Sequence, residues 1–399
     1  MGTDFQNFNL DDLRYIHQCA SALLLIYSGT CFSNSDVFPS HSSIRFVNNT
    51  WRETEMTLGL YNQPSQYTNK QQVYISTKIA NLKPTIVFKT YWNFAAERQS
   101  IFFRRLEGQG APWTDDPIFQ RHKFTNAYRA SDRVSQYLIS EVIQKGDQSP
   151  NELFFRILLF KIFNKIETWE LLVKRLGEIR WDSYSHKTFD DCLTRASAAG
   201  AAIYSAAYIM PSGTGALASD RKHRTHLQLL EMMMQDQLAE RLADAKSLKE
   251  VFTRLRSYPT IGDFLAFQYA IDLNYSNLID FPEMEFVIAG PGAKDGIAKC
   301  FRETGGLDYS EIIRATCESQ TIFLNQVDRP FRSLFGRDLQ LIDCQNLFCE
   351  VDKYARIKHP DIAGLSGRTR IKQVFKPKSS AIRLTYPSKW KIDVHSSLT

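Results

Sequence analysis

The residues best suited to chemistry lie between positions 123 and 139, where charged and amide side chains recur at short intervals. If this stretch is helical, residues three and four positions apart share one face. One carboxylate between two arginines is either a structural ion-pair network or a site that holds a base and a phosphate. The spacing leaves both interpretations open. The side chains concerned are Asn126, Arg129, Asp132, Arg133 and Gln136.

A second polar set lies in the amphipathic stretch from Leu339 to Tyr354. Apolar side chains at helical spacing predict a helix with one buried face, and a polar stripe on such a helix usually faces solvent. The alternative is that the stripe contacts a ligand. Its members are Asp343, Asn346, Glu350 and Lys353.

Among the elements that must position these residues, a helical hairpin is the most distinctive. One amphipathic run ends at Leu255, and a second begins at Phe264 after a Pro-Thr-Ile-Gly turn. Backbone N–H groups at Thr260, Ile261 and Gly262 could then face a DNA phosphate, since glycine has no Cβ to block the approach. An ordinary turn between two helices explains the pattern equally well.

The C-terminal stretch concentrates the positive charge of the chain. The net charge is +6, and residues 365–399 contain eight basic residues and one acid. With Phe375, Tyr386 and Trp390 between them, these residues resemble a strip that follows phosphates and offers rings for base stacking. A solubilising tail is the alternative. The side chains that we expect to contact phosphate are Arg368, Arg370 and Lys372.

Composition indicates an ordered globular protein that needs neither a metal nor a cofactor. With 43% hydrophobic and 23% charged residues, the chain can bury a core, and it contains no apolar run of about 18 residues that would span a bilayer. Seven cysteines without a Cys-x-x-Cys pair favour a reducing cytoplasm over disulfides or a zinc site. Near the N-terminal end we expect a helix over Leu10–Tyr27, with strands over Val73–Thr77 and Thr85–Lys89.

Longer motifs carry a specific resemblance. Trp92-Asn-Phe-Ala-Ala-Glu-Arg98, Pro112-Trp-Thr-Asp-Asp-Pro117 and the 124–136 stretch resemble the helical domain of the phage 5-hydroxymethyluridine DNA kinases, shared with the α-glutamyl/putrescinyl-thymine pyrophosphorylase families. The likeness continues through Gln345–Tyr354 and covers residues 85 to 375. It implies a mainly α, two-lobed, helix-hairpin-helix DNA-glycosylase-like fold. A small β element near the N-terminus would accompany that fold.

The same resemblance divides the chain and assigns further contacts. It implies an N-terminal extension (1–70), one lobe built from 71–152 and 300–364, a hairpin-containing lobe (153–299) and the basic tail (365–399). The apolar stretch from Asn151 to Trp169 resembles the helix of helix-hairpin-helix glycosylases that runs into a base-contacting turn. The residues implied to contact base or sugar are Asn126, Arg129, Asn164, Glu167, Asn346 and Lys353.

One departure from the kinases directs the expected chemistry. They combine this domain with a P-loop domain, whereas this sequence contains no G-x-x-x-x-G-K-[ST] motif, so we expect no phosphoryl transfer. The glycosylase likeness then implies a carboxylate beside the sugar, with Glu285 as the first candidate and Asp132 and Glu350 as further ones. A helix start with free N–H groups at Gly290 and Gly292 would hold phosphate.

The resulting prediction is a monomeric, cytoplasmic, monofunctional DNA glycosylase of anti-phage defence. It would flip a bulky modified pyrimidine, such as glucosylated hydroxymethylcytosine, out of double-stranded phage DNA and leave an abasic site. Asp263 and Phe264 follow the hairpin where bifunctional relatives place a Schiff-base lysine. The alternatives are a transferase that acts on activated hydroxymethyluracil in DNA to build hypermodified thymine, and a non-catalytic reader of modified DNA.

Overall fold

Helices account for most of the ordered backbone, as predicted. A computed structural model describes residues 79, 81–213, 217–377 and 383–394. The N-terminal extension, the helix expected over 10–27 and the strand expected over 73–77 lie outside these residues. Among the described residues, none of the helices is both long enough and apolar enough to cross a membrane. The division of the remaining chain into two lobes stays a prediction.

The first long helix, α1 (Ile86–Leu106), replaces the strand that we expected over Thr85–Lys89, so that prediction was wrong. The Thr85 side chain caps the helix by accepting a hydrogen bond from the Val87 N–H at 3.1 Å. Apolar side chains then recur at helical spacing and bury one face, including Tyr91 and Trp92. Their spacing of three and four residues outweighs the β preference of a short Thr-Ile-Val run.

The expected β element is present but uses other residues. Strand β1 (Lys83–Pro84) pairs antiparallel with β2 (Phe301–Glu303), and Lys83 lies opposite Glu303. Two short helices follow α1, namely α2 (Pro117–Arg121) and α3 (Arg133–Tyr137), and a π-helical turn over Leu138–Ile143 continues α3.

Among the described residues, the middle of the chain contains seven α-helices, in the order α4 (Pro150–Phe163), α5 (Ile166–Leu176), α6 (His186–Ala198), α7 (Lys222–Gln235), α8 (Leu238–Ala243), α9 (Leu248–Arg256) and α10 (Asp263–Leu273). Helices α9 and α10 form the predicted hairpin. Their connection is short because Thr260 adopts a left-handed conformation with φ of 67°. Helix α10 is almost entirely buried, which makes it a central element.

Four helices complete the fold, in the order α11 (Pro291–Cys300), α12 (Tyr309–Glu318), α13 (Gln320–Leu324) and α14 (Leu341–Lys358). Helix α11 packs on α14 at very short range. A Cβ added to Gly296 would lie 2.0 Å from the Phe348 carbonyl oxygen, and one added to Gly292 would lie 2.3 Å from Cys349 Sγ. Glycine is therefore required for the contact between these helices.

Candidate functional site

The loop from Phe124 to Asp132, called here the polar segment, does not form the single helix face that we expected. Its backbone turns through a short 3-10 helix (Arg129–Ser131) before α3 begins after Asp132. The Asn126 N–H donates to Asp132 Oδ1 at 2.7 Å, and Asn126 Nδ2 donates to the Ser131 carbonyl at 2.6 Å. Asp132 and Asn126 thus close a tight loop, because short polar side chains compete with the backbone for hydrogen bonds.

Arg129 points from the polar segment into the protein interior, where it is 2% exposed. Its guanidinium Nη2 lies 2.8 Å from Asp272 Oδ1. Nε donates to Gln268 Oε1 at 3.0 Å, and Nη1 donates to the Tyr275 hydroxyl at 3.1 Å. Both Gln268 and Asp272 belong to α10, so Arg129 joins the polar segment to the second helix of the hairpin.

Lys161 brings a second cation to the same carboxylate. Its Nζ lies 3.2 Å from Asp272 Oδ2 and donates to Asn164 Oδ1 at 2.7 Å, and the side chain is 3% exposed. Burial lowers the pKa of Lys161 to about 8, although Asp272 favours the charged form. Asn164 ends α4 in a left-handed conformation, which aims its side chain back at Lys161. Two buried cations therefore share one carboxylate.

Helix α14 holds the polar segment from the other side. Asp343 Oδ1 accepts the Arg129 N–H at 2.7 Å, and Glu350 Oε2 accepts the Thr125 N–H at 3.1 Å. Lys353 lies 2.6 Å from the same Glu350 oxygen. The polar stripe of this helix is thus turned toward protein at Asp343 and Glu350, which are 4% and 6% exposed.

Burial perturbs the acids around the polar segment. It raises the pKa of Asp132 to about 6, although the Asn126 N–H and the Arg98 charge both favour the ionised form. It raises the pKa of Asp343 to about 7, and the nearby Glu283 carboxylate adds to that shift. Carboxyl groups that titrate near neutral pH are common where proteins perform acid–base chemistry.

Three predicted site residues have other surroundings. Glu285 is exposed, and its Oε1 accepts the Leu248 N–H at 3.1 Å, which stabilises the start of α9. Glu167 is 59% exposed and lies 3.8 Å from Arg133. Asn346 is half-buried on α14. The structure therefore brings Asn126, Arg129, Asp132, Glu350 and Lys353 to the polar segment, whereas the contacts of Glu285 are those of a helix cap.

The three glycines predicted to approach phosphate have different surroundings. At Gly262, φ is −82° and the position of a Cβ is open, so a phosphate could reach the backbone N–H there; that contact stays a prediction. Ile261 is 2% exposed and anchors the turn. At Gly290, a Cβ would lie 2.7 Å from the Phe264 ring, and Gly292 is similarly occupied by Cys349. Close packing accounts for these last two glycines.

The basic tail is fastened to the residues directly before the polar segment and, at Ser131, to the segment itself. The Lys123 N–H donates to the Gln373 carbonyl at 3.1 Å, and the Phe375 N–H donates to the Arg121 carbonyl at 3.0 Å. Farther on, the Tyr386 hydroxyl lies 2.9 Å from Ser131 Oγ, and Tyr386 is 7% exposed, so it packs within the fold instead of offering a stacking surface. The side chains of Arg368, Arg370 and Lys372 are exposed.

The sequence interpretation missed the interior partners of Arg129. Lys161 is the one charged residue in the apolar second half of α4, from Ile157 to Phe163, and Gln268 and Asp272 lie four residues apart in the largely apolar α10. Polar side chains at fixed spacing inside a buried helix must find partners, which is the signal that could have identified them.

Comparison with known proteins gives one family and one relative. The family model described as "5-hmdU DNA kinase, helical domain" matches residues 85–364. A protein of Bacillus phage SP10 named "5-hmdU DNA kinase" is 26% identical over 295 residues, which is 67% of this chain and 45% of the relative. The chain thus spans about half the length of the curated relative that it matches. No solved structure matches.

These findings correct the expected activity. The family and the relative are kinases of modified DNA, so the predictions of a glycosylase, of base excision and of a defence role were wrong. The lack of a P-loop motif in this sequence was therefore no reason to exclude a relationship to phosphoryl transfer. The likeness to the glycosylase fold and to enzymes of glucosylated hydroxymethylcytosine gains no support either. The match over most of the chain places this protein in the family of the 5-hmdU DNA kinase helical domain.

Proposed function

We propose that this protein binds DNA containing 5-hydroxymethyluracil and serves a transferase reaction at the hydroxymethyl group of that base. The observation that carries the proposal is the attachment of an exposed basic segment, residues 368–376 and here called the basic strand, to Arg121 and Lys123 directly before the polar segment. The basic strand directly follows the part of the chain that matches the helical domain of the 5-hmdU DNA kinases. The basic side chains of this protein strand can contact successive phosphates of the DNA, while the polar segment lies beside the bound nucleotide.

The charges suit a substrate with phosphate groups. The Lys123 N–H donates to the Gln373 carbonyl and the Phe375 N–H donates to the Arg121 carbonyl, so the exposed Arg370 and Lys372 lie on a strand of fixed position relative to the polar segment. Backbone phosphates dominate the affinity of proteins for DNA, and their contacts set the register of the bound strand. In this proposal these side chains supply affinity, whereas the polar segment supplies selectivity for the base.

Asp132 is the proposed general base. Its carboxyl has a pKa of about 6, so it is mostly ionised at neutral pH and can accept a proton. In the transfer, the hydroxymethyl oxygen forms a bond to phosphorus of a phosphate donor, its proton goes to Asp132, and the remainder of the donor leaves. Glu350 holds the Thr125 N–H and so positions the same loop.

A second candidate is displacement of an already activated group from the base methylene by an amine. It is favoured by the resemblance of the Trp92–Arg98, Pro112–Pro117 and 124–136 motifs to the α-glutamyl/putrescinyl-thymine pyrophosphorylase families. In that reaction the amine nitrogen bonds to the methylene carbon, a diphosphate leaves with the electron pair of the broken carbon–oxygen bond, and Asp132 accepts the proton that the amine loses. The glycosidic bond stays intact in both reactions.

Product analysis separates the candidates. Duplexes with one 5-hydroxymethyluracil, or with its diphosphorylated form, would be incubated with the protein, ATP and Mg²⁺ or with a polyamine, then digested to nucleosides for mass spectrometry. A phosphorylated nucleoside supports the first reaction, and an amine adduct supports the second. Either product should fall by about 100-fold in Asp132→Asn if this residue is the base, and should persist in the control Asp191→Asn, where a half-buried carboxylate on α6 pairs with Lys187. Unchanged nucleosides in every mixture would refute the transferase proposal.

A further inference from the structure

A cavity of about 330 Å³ opens next to the polar segment, between α1, α2 and the basic strand. Four aromatic rings contribute to its wall, namely those of Trp113, Phe119, Phe124 and Phe375. A cavity of this volume lined by apolar surface and a few polar groups is typical of small-ligand sites. Phe124 is the first residue of the polar segment, so the cavity and that segment share a wall.

The rings are held in place before any ligand binds. Trp113 is 8% exposed, and its Nε1–H donates to the Gln109 carbonyl at 2.6 Å. The Arg105 guanidinium lies 5.0 Å from the centre of the Trp113 ring, within range of a cation–π interaction. The Phe375 ring meets Trp113 edge-on at 6.3 Å. A planar ring entering the cavity therefore meets fixed aromatic surfaces, which favours stacking.

Two nitrogen atoms at this cavity lack a partner in the described structure. Arg98 Nε donates to the Thr125 carbonyl at 2.8 Å, but Nη1 of the same side chain is buried and has no hydrogen-bond partner. His122 Nδ1 is also buried without a partner. Leaving a buried donor unpaired destabilises a protein. A ligand whose carbonyl oxygen accepts a hydrogen bond from Arg98 Nη1 would therefore bind more tightly than one without that oxygen.

The cavity opens beside the basic strand, which we propose to bind DNA. His122 pairs with Val374 in an antiparallel bridge, and Phe375 follows directly, so the basic strand forms one edge of the opening. Arg370 and Lys372 precede this edge and are exposed. A nucleotide whose phosphates lie along the strand could thus direct its base inward.

We propose that this cavity binds the 5-hydroxymethyluracil ring after its extrusion from the duplex, an inference that rests on the proposed function. Uracil offers two carbonyl oxygens and one N–H, which match the free Arg98 Nη1 donor and the free His122 ring nitrogen. The rings of Trp113 and Phe375 would contact the base, as in other proteins that take a nucleotide out of the stack. The hydroxymethyl group would then lie near the polar segment.

The test compares the affinities for two duplexes that differ only in thymine or 5-hydroxymethyluracil at one position, measured by fluorescence anisotropy. Thymine has the same two carbonyl oxygens, so in this proposal the hydroxymethyl group decides whether the base enters the cavity. Arg98→Met weakens the cavity, so the modified duplex should then bind through its phosphates alone, as the thymine duplex does, and the preference should fall by about tenfold. Phe375→Ala should lower the preference similarly. Phe375 lies on the basic strand, so removing its ring leaves the hydrogen bond from Arg98 to the Thr125 carbonyl intact. The matched control Arg370→Met should weaken binding to both duplexes equally and keep the preference.

The outcomes distinguish the two proposals. If both Arg98→Met and Phe375→Ala keep the wild-type preference, the cavity does not hold the base, although the proposed function survives. If the wild-type protein itself has no preference, the proposed function fails, and the cavity is tested alone with free 5-hydroxymethyl-2′-deoxyuridine. Quenching of tryptophan fluorescence by the nucleoside, lost in Trp113→Phe, would support a base-binding cavity. An equal signal in Trp113→Phe would overturn it.

Discussion

Replacing Asp272 with asparagine should destabilise this protein strongly. The change leaves the geometry of the side chain but removes the one carboxylate that lies 2.8 Å from Arg129 and 3.2 Å from Lys161. Both cations are nearly inaccessible to water, at 2% and 3% exposure. Removing one partner of a buried ion pair typically costs about 3–5 kcal/mol, because the remaining charge is left uncompensated.

The two cations do not contribute equally to that loss. Lys161 has a pKa of about 8, one unit above pH 7, so in Asp272→Asn it can become neutral by losing its proton. The loss of stability that comes from Lys161 is therefore limited to about 1.4 kcal/mol. Arg129 cannot deprotonate and must stay charged. Most of the lost free energy of unfolding should therefore come from Arg129, and adding Lys161→Met to Asp272→Asn should recover no more than about 1–2 kcal/mol.

Urea denaturation followed by circular dichroism measures these differences. Asp263→Asn is a matched control, because Asp263 begins the same helix and also pairs with an arginine, Arg256, but is 66% exposed. Exposed pairs contribute about 0–1 kcal/mol, so the control should stay close to the wild type. If Asp272→Asn loses no more than Asp263→Asn, the buried pair does not hold the polar segment in place and the reasoning is refuted.

Further predictions concern protonation, packing and DNA contact. Because burial lowers the pKa of Lys161 to about 8, the unfolded chain binds more protons than the folded one between about pH 8 and 10.5. Over that range the free energy of unfolding of the wild type should rise by up to about 3 kcal/mol relative to that of Lys161→Met. A difference between the two proteins that stays constant with pH would contradict the burial of Lys161. Gly296→Ala should cost about 1–3 kcal/mol because its Cβ would meet the backbone of α14, and a wild-type melting temperature would disprove this contact. Gly262→Ala should keep stability within about 0.5 kcal/mol yet weaken DNA binding, and unchanged affinity would remove the hairpin from the interface. Arg370→Met and Lys372→Met should each lower the slope of log affinity against log salt by about 1, and an unchanged slope would mean that they touch no phosphate.

Local patterns in the sequence were sufficient for the helical class and for the hairpin. The runs that end at Leu255 and begin at Phe264 have helical periodicity, and both helices are present with a short turn between them. Periodicity was insufficient where capping decided the outcome. Thr85 begins a helix instead of a strand, because its side chain accepts a hydrogen bond from the Val87 N–H. At Asp132 a loop closure has the same effect: the carboxylate accepts the Asn126 N–H and bends the backbone where a single helix was expected.

The candidate site could be predicted only in part. Arg129, Asp132 and Glu350 were singled out as charged residues in suggestive settings, and they do meet at the polar segment. Their partners were not foreseeable from spacing, because Asp272 reaches Arg129 from a distant part of the chain. The expected chemistry was also wrong, because a missing P-loop motif and a hairpin were given more weight than the resemblance to the kinase domain itself.

Comparative binding tests the central claim most directly. Three duplexes of one sequence, with thymine, 5-hydroxymethyluracil or 5-hydroxymethylcytosine at a single position, would compete for the protein at fixed salt. We predict that the 5-hydroxymethyluracil duplex binds at least tenfold more tightly than the thymine duplex, the typical effect of one or more specific base contacts. Equal affinity for all three duplexes would contradict recognition of 5-hydroxymethyluracil by this protein.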